Sequence, residues 1–178
     1  MADPGPSENR RSFLKSATLA LGGAVGVVLA VPLVRYFLFP VGRKVVSSSV
    51  EPVDVLAEAA LVPGAPPVQV PIVAASQRDA WGSRDKVGVG SVWLSKDEGG
   101  KVTAFSGVCP HLGCAIGYDD SSGVFVCPCH KSAFSRDGAK KAGPSKRGLD
   151  PLPVEVEGGR VRVTFLRFRP DVSERTPV

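Results

Sequence analysis

The chain starts polar and then runs without a charge for nineteen residues, Ser16 to Val34. That exceeds the roughly 7–15 residues of a signal-peptide core and approaches the ~20 needed to span a bilayer. It stretches to 23 residues, Ala17 to Phe39, if Arg35 reaches the far interface beside Tyr36. The pattern predicts a single transmembrane anchor over residues 16–39. It is expected to stay uncleaved, since no clear Ala-x-Ala site appears. From Pro40 to Pro52, "PVGRKVVSSSVEP" is polar and serine-rich without a helical stripe, and reads as a flexible linker over residues 40–52. Beyond it the apolar residues come in short β-branched runs: Val68–Ala74, Val87–Ser95, Lys101–Ser106 and Gly123–Cys127. "VEVEGGRVRV", Val154 to Val163, alternates strictly on either side of Gly158-Gly159. It predicts a hairpin with a tight glycine turn, its second strand carried on by Thr164–Phe168.

Composition supports this division. Gly 20 and Pro 16 are more punctuation than a helical protein tolerates, so the head, residues 53–178, is expected to be mainly β, with short antiparallel strands joined by turns. The net charge of +5 is modest, scattered and without aromatic interleaving, and gives no reason to invoke nucleic acid. Arg10, Arg11 and Lys15 precede the apolar run and place the amino terminus in the cytoplasm and the bulk of the chain outside. In "NRRSFLK" the paired arginines resemble a twin-arginine export signal, and residues 1–15 are read as that cytoplasmic segment. Gly22 and Gly26 have the spacing of a helix-packing motif, a weak signal in a span. Trp81 and Trp93 are expected to be core or packing residues.

The chemistry is concentrated in one place. "CPHLGC" (Cys109–Cys114) and "CPCHKSAF" (Cys127–Phe134) hold all four cysteines and both histidines within 22 positions. Such a cluster implies a metal. Four ligands of Cys and His type would satisfy zinc, but its paired ligands usually lie two to four residues apart, and two cysteines would be left over. In an oxidising compartment two cysteines can be ligands while two form a disulfide.

The two boxes resemble the pattern of Rieske iron–sulfur proteins, Cys-x-His-x-Gly-Cys followed by Cys-x-Cys-His. The resemblance implies a Rieske-type antiparallel β head with a cluster-binding subdomain and one [2Fe–2S] cluster. Cys109 and Cys127 would hold one iron, His111 and His130 the other, and Cys114 and Cys129 would form the bridge between the loops. His111 and His130 would be the catalytic groups, each with a ring nitrogen that couples proton to electron uptake. Ser132 falls where the family often hydrogen-bonds a cluster sulfur. Phe134 stands where many high-potential members have tyrosine, and Lys131 where glycine is usual. A somewhat lowered potential, suited to menaquinol rather than ubiquinol, is the expectation. "AGPSKRGLDPLPV", Ala142–Val154, resembles the proline loop covering the cluster.

Among Rieske contexts, the start "RRSFLK" and the extra cysteine pair argue against a soluble oxygenase ferredoxin. The small subunit of an arsenite oxidase-like molybdenum enzyme is the alternative. The favoured implication is the iron–sulfur subunit of a cytochrome bc complex, in the cytoplasmic (inner) membrane with its head on the periplasmic or outer face. It would take an electron and a proton from quinol beside cytochrome b, swing, and pass the electron to a c-type cytochrome, working only within the complex. Six basic residues between Lys131 and Arg147 (Lys131, Arg136, Lys140, Lys141, Lys146, Arg147) are candidates for orienting the head on an acidic cytochrome.

Overall fold

A computed structural model describes residues 6–43, 51–78 and 81–178. The chain divides into two compact units, residues 1–44 and 45–178.

In the first unit a single helix, α1, runs from Pro6 to Leu38, 33 residues. It begins before the uncharged run, because Asn9 to Lys15 are mostly residues that a helix accommodates at little cost. Glu8 lies in its first turn and Arg35 in its last, each on the side the helix dipole favours. At about 1.5 Å per residue the helix is roughly 50 Å long, more than a bilayer's ~30 Å apolar layer, so its charged first turns would extend beyond that layer. Its Glu8–Leu38 stretch is long and apolar enough to cross a membrane. Beyond the helix, the Arg43 guanidinium sits 3.7 Å over the Phe39 ring. Most of the expected linker, residues 44–50, lies outside the described residues.

In the second unit the described strands are all antiparallel, with one 3-10 turn at Glu58–Ala60. Its strands are β1 (Val53–Ala57), β2 (Val68–Arg78), β3 (Ser83–Lys96), β4 (Val102–Ser106), β5 (Gly117–Asp119), β6 (Val124–Val126), β7 (Ala133–Ser135), β8 (Lys140–Ala142), β9 (Val154–Glu157) and β10 (Arg160–Val163). They form three sheets with orders β1-β10-β9, β2-β3-β4 and β5-β6-β7-β8. The β9–β10 hairpin is as expected: Glu157 pairs with Arg160, and Gly158 and Gly159 supply the two positive φ angles of its turn. Thr164–Phe168, however, does not extend β10. Pairing ends at Val163 because its partners Val53 and Val154 are the first residues of β1 and β9, with Pro52 and Pro153 before them; Phe165 keeps to the inward side of Val161 and Val163 and is wholly buried, its ring filling the space that a Cβ on Gly90 would need. Trp93 is a core residue, and Trp81 lies half exposed outside the core.

Two apolar cores result, and the β3–β4 pair divides them. Side chains alternate across a strand, so Val92 and Leu94 face one core with Ile72, Val161, Val163 and Phe165, while Trp93 faces the other with Phe125, Phe134 and Leu149. On β4 Ala104 and Phe105 divide the same way. The second core includes Cys109 and Cys127, so the cysteine boxes are built onto a packed aromatic floor.

Candidate metal centre

Both boxes are loops closed by the same two backbone bonds. In the first, between β4 and β5, the Cys109 N–H donates to the Cys114 carbonyl (2.7 Å) and the Gly113 N–H to the Cys109 carbonyl (3.0 Å). In the second, between β6 and β7, the Cys127 N–H donates to the Ser132 carbonyl (2.8 Å) and the Lys131 N–H to the Cys127 carbonyl (3.0 Å). The residue four places after each leading cysteine is left-handed: Gly113 at φ 82° and Lys131 at φ 57°. A Cys114–Cys129 disulfide joins the loops.

Cys109 and Cys127 are free thiols, each 1% exposed. Burial pushes the Cys109 thiol up to about 11; the neighbouring Cys127 adds to this, and the His111 and Leu112 backbone N–H groups pull against it. Two adjacent thiols out of water do not ionise readily without a cation. The histidine rings meet edge to face, 4.8 Å between centroids. Nδ1 of His111 is buried and has no hydrogen-bond partner, alone in this among the described side-chain nitrogens and oxygens. An unpartnered buried imidazole nitrogen is costly, and ligation would satisfy it. His130 is exposed. The donor set, two buried thiols and two imidazoles, fits a two-iron cluster with mixed ligands. The sulfurs of Cys114, Cys127 and Cys129 also lie within 4.8 Å of one another, but two of the three are bonded together, which leaves that group a single thiol.

A third loop, Gly143–Asp150, closes over box two. Gly143 has φ 87°, and a Cβ there would lie 2.7 Å from the Ser132 nitrogen and 2.8 Å from its Oγ, so only glycine permits this approach. The Ser145 N–H donates to Ser132 Oγ (3.3 Å), a bond that leaves the hydroxyl proton unused. Ser132 and Phe134 are wholly buried. Deeper in the loop, Arg147 and Asp150 form a buried two-point ion pair, 2.7 Å at each contact. Arg147 Nη1 also donates to the carbonyls of Arg169 (3.0 Å) and Val172 (2.7 Å), and the Asp171 N–H donates to the Pro110 carbonyl (2.9 Å). The C-terminal segment is thereby tied both to this loop and to box one.

The six predicted cysteines and histidines all converge on this site, with Ser132 behind them. Of the basic group of Lys131–Arg147, five are exposed and Arg147 is buried; among the five, Lys146 pairs with Asp171 (3.2 Å), and Arg136 donates to the Ala65 carbonyl. The Arg147–Asp150 anchor escaped the sequence reading: an Arg and an Asp three apart in a glycine- and proline-rich stretch look like ordinary loop charges.

A family model described as Rieske [2Fe-2S] domain matches residues 68–154. The menaquinol:cytochrome c reductase iron-sulfur subunit of Geobacillus thermodenitrificans is 28% identical over 165 residues, 90% of this chain and 94% of that protein. The cytochrome b6-f complex iron-sulfur subunit of Chlorobaculum tepidum is 27% identical, over 88% of this chain and 75% of that one. Among solved structures, the cyanobacterial plasma membrane Rieske protein PetC3 from Synechocystis PCC 6803 is similar at 23% identity and a TM-score of 0.43, over 64% of this chain and 98% of that one.

Proposed function

Residues 68–154 are a Rieske [2Fe-2S] domain, and from that premise we propose that the chain is the electron-transfer subunit of a quinol:cytochrome c oxidoreductase, a cytochrome bc complex. The observation that carries the proposal is the pairing of two buried thiols with two touching imidazoles, one holding a buried unpartnered nitrogen and the other lying at the surface. Relatives named as subunits of such complexes align over most of the chain.

In this reading Cys109 and Cys127 hold one iron, and His111 and His130 the other. When bound, the cluster supplies one-electron redox chemistry at a potential that the imidazoles lift above that of an all-cysteine site. The thiols give up their protons on binding, which the raised Cys109 value makes unfavourable until the metal charge is present. His130, exposed, would turn its outer ring nitrogen to a quinol hydroxyl; with that nitrogen's own proton already lost, which metal charge on the ring favours, it would accept the hydrogen bond and then the quinol proton. The Ser132 hydroxyl, held by the Ser145 N–H, keeps its proton for a cluster sulfur. Phe134 cannot make the corresponding bond, which favours menaquinol over ubiquinol. Helix α1 anchors the protein as a single span in the cytoplasmic membrane, the twin-arginine segment exports the folded head to the outer face, and residues 40–52 let it move between cytochrome b and a c-type cytochrome.

The test is purification of the detergent-solubilised complex. Haem-bearing b and c subunits should co-elute with this chain, and the reduced complex should give a rhombic EPR signal. A co-eluting molybdopterin protein, or stoichiometric zinc without the signal, would overturn the proposal.

A further inference from the structure

Each cysteine loop has a left-handed residue four places after its leading cysteine. Box one uses Gly113, which adopts φ 82° freely; box two holds Lys131 at φ 57°, where a side chain costs conformational energy. Strain kept at such a place points to a use for the side chain. Lys131 is exposed and directly follows exposed His130.

Two more lysines approach the same end of the head. Strand β8 is the edge of its sheet, and its Lys140 and Lys141 are exposed. Because Ala142 pairs with Ala133, β8 runs up beside the end of box two. Lys141, next to Ala142, and Lys131, two residues before Ala133, thus flank the β7–β8 pair where it meets box two, with Lys140 one residue further along β8. Among the described residues none of the three is in an ion pair, in contrast to Lys96, Lys146, Arg147, Arg160, Arg162 and Arg175. Two acids neighbour this group: Asp137, in the β7–β8 turn, accepts from Ser135 and lies within reach of the Lys141 charge, and Asp171, bonded through its N–H to the Pro110 carbonyl of box one, has its carboxylate paired with Lys146. Asp119 ends β5 at the opposite edge, its carboxylate taken by Ser121 and Ser122, with Asp120 beside it. Neither box contains an acid.

We propose that Lys131, Lys140 and Lys141 form the docking margin for an acidic patch around the haem edge of the c-type cytochrome that takes the electron. This rests on the electron-transfer function proposed above and adds the charge of the partner surface. Exposed charges of this kind act on encounter more than on final affinity, so the effect belongs to the association rate and fades as salt screens it.

The experiment uses the full-length, cluster-loaded chain in detergent, chemically reduced and mixed by stopped flow with two soluble c-type cytochromes of matched potential, one acidic and one basic around the haem edge. At low ionic strength the acidic cytochrome should oxidise the protein roughly tenfold faster, an advantage lost at high salt. The triple variant Lys131→Gln, Lys140→Gln, Lys141→Gln should lose most of that advantage; because Lys131 adjoins His130, the cluster midpoint is measured alongside, and the ratio of the two cytochromes' rates on the same variant is compared, which a shifted midpoint moves alike for both. Lys131→Gly, which relieves the backbone, should lose part of it while folding normally. Equal rates with both cytochromes, or a triple variant that keeps the preference, would remove the docking margin and leave electron transfer standing. No oxidation by either cytochrome at any salt would remove the electron-transfer reading, and the margin with it.

Discussion

At the scale of single residues, the site is decided by what burial does to a few polar groups. Cys109 is the clearest case. A thiol whose folded value is raised to about 11 stabilises the metal-free fold most fully below the ordinary thiol range, and that contribution falls away as pH rises through 11. Metal-free protein should therefore lose urea resistance from about pH 9 to 11, and cluster-loaded protein much less, since its thiol is already deprotonated on iron. Equal loss in both forms would contradict the assignment of Cys109 as a ligand. Phe134 is the second case. It is wholly buried in the aromatic core, and Phe134→Tyr would add one donor. A hydrogen bond worth about 0.5–1.5 kcal/mol converts to roughly 20–60 mV for one electron. Redox titration should show the midpoint rising by that much; no rise would count against the menaquinol assignment.

At the scale of elements, loops rather than strands carry the site, and they are held by three kinds of tie. Backbone bonds close each box, the Cys114–Cys129 disulfide joins the boxes, and Arg147 anchors the third loop to the C-terminal segment. The last tie is the most vulnerable to a single change. Asp150→Ala would leave the Arg147 guanidinium buried without its carboxylate, a loss of about 3–5 kcal/mol in chemical denaturation. Replacing both partners with apolar residues of similar size should cost much less, and a larger loss in the double variant would show that the carbonyl contacts of Arg147 matter more than its ion pair. Of these ties the disulfide is legible in the sequence, through the resemblance of the two boxes to the Rieske pattern, and the others are not. The Gly143 approach to Ser132 depends on a chain neighbour eleven residues away, and the Arg147 bonds on one more than twenty away.

At the scale of the whole molecule, the chain joins an apolar helix to a β head, and the proposed function asks the expected linker, residues 40–52, to let the head travel. A rigid helical insert between Lys44 and Pro52 should sharply lower quinol-dependent cytochrome reduction by the purified complex while leaving the EPR signal intact; unchanged turnover would contradict a moving head. What the sequence determined by itself were features carried by composition and short spacing: the apolar helix, the glycine-turned hairpin of Val154–Val163, and the two boxes with their six ligand-type side chains. Each is local, because hydrophobic runs, turn chemistry and ligand spacing are written in neighbouring residues. Only the tertiary structure decided that Trp93 and Phe105 face a different core from Leu94 and Ala104, that the Phe165 ring packs on Gly90, that His111 Nδ1 is left buried without a partner, and that Arg147 is an anchor rather than a surface charge. The physical reason is common to all four. Burial is a property of what the rest of the chain packs against a residue, and the energies that settle it, desolvation and close packing, act between segments far apart in sequence.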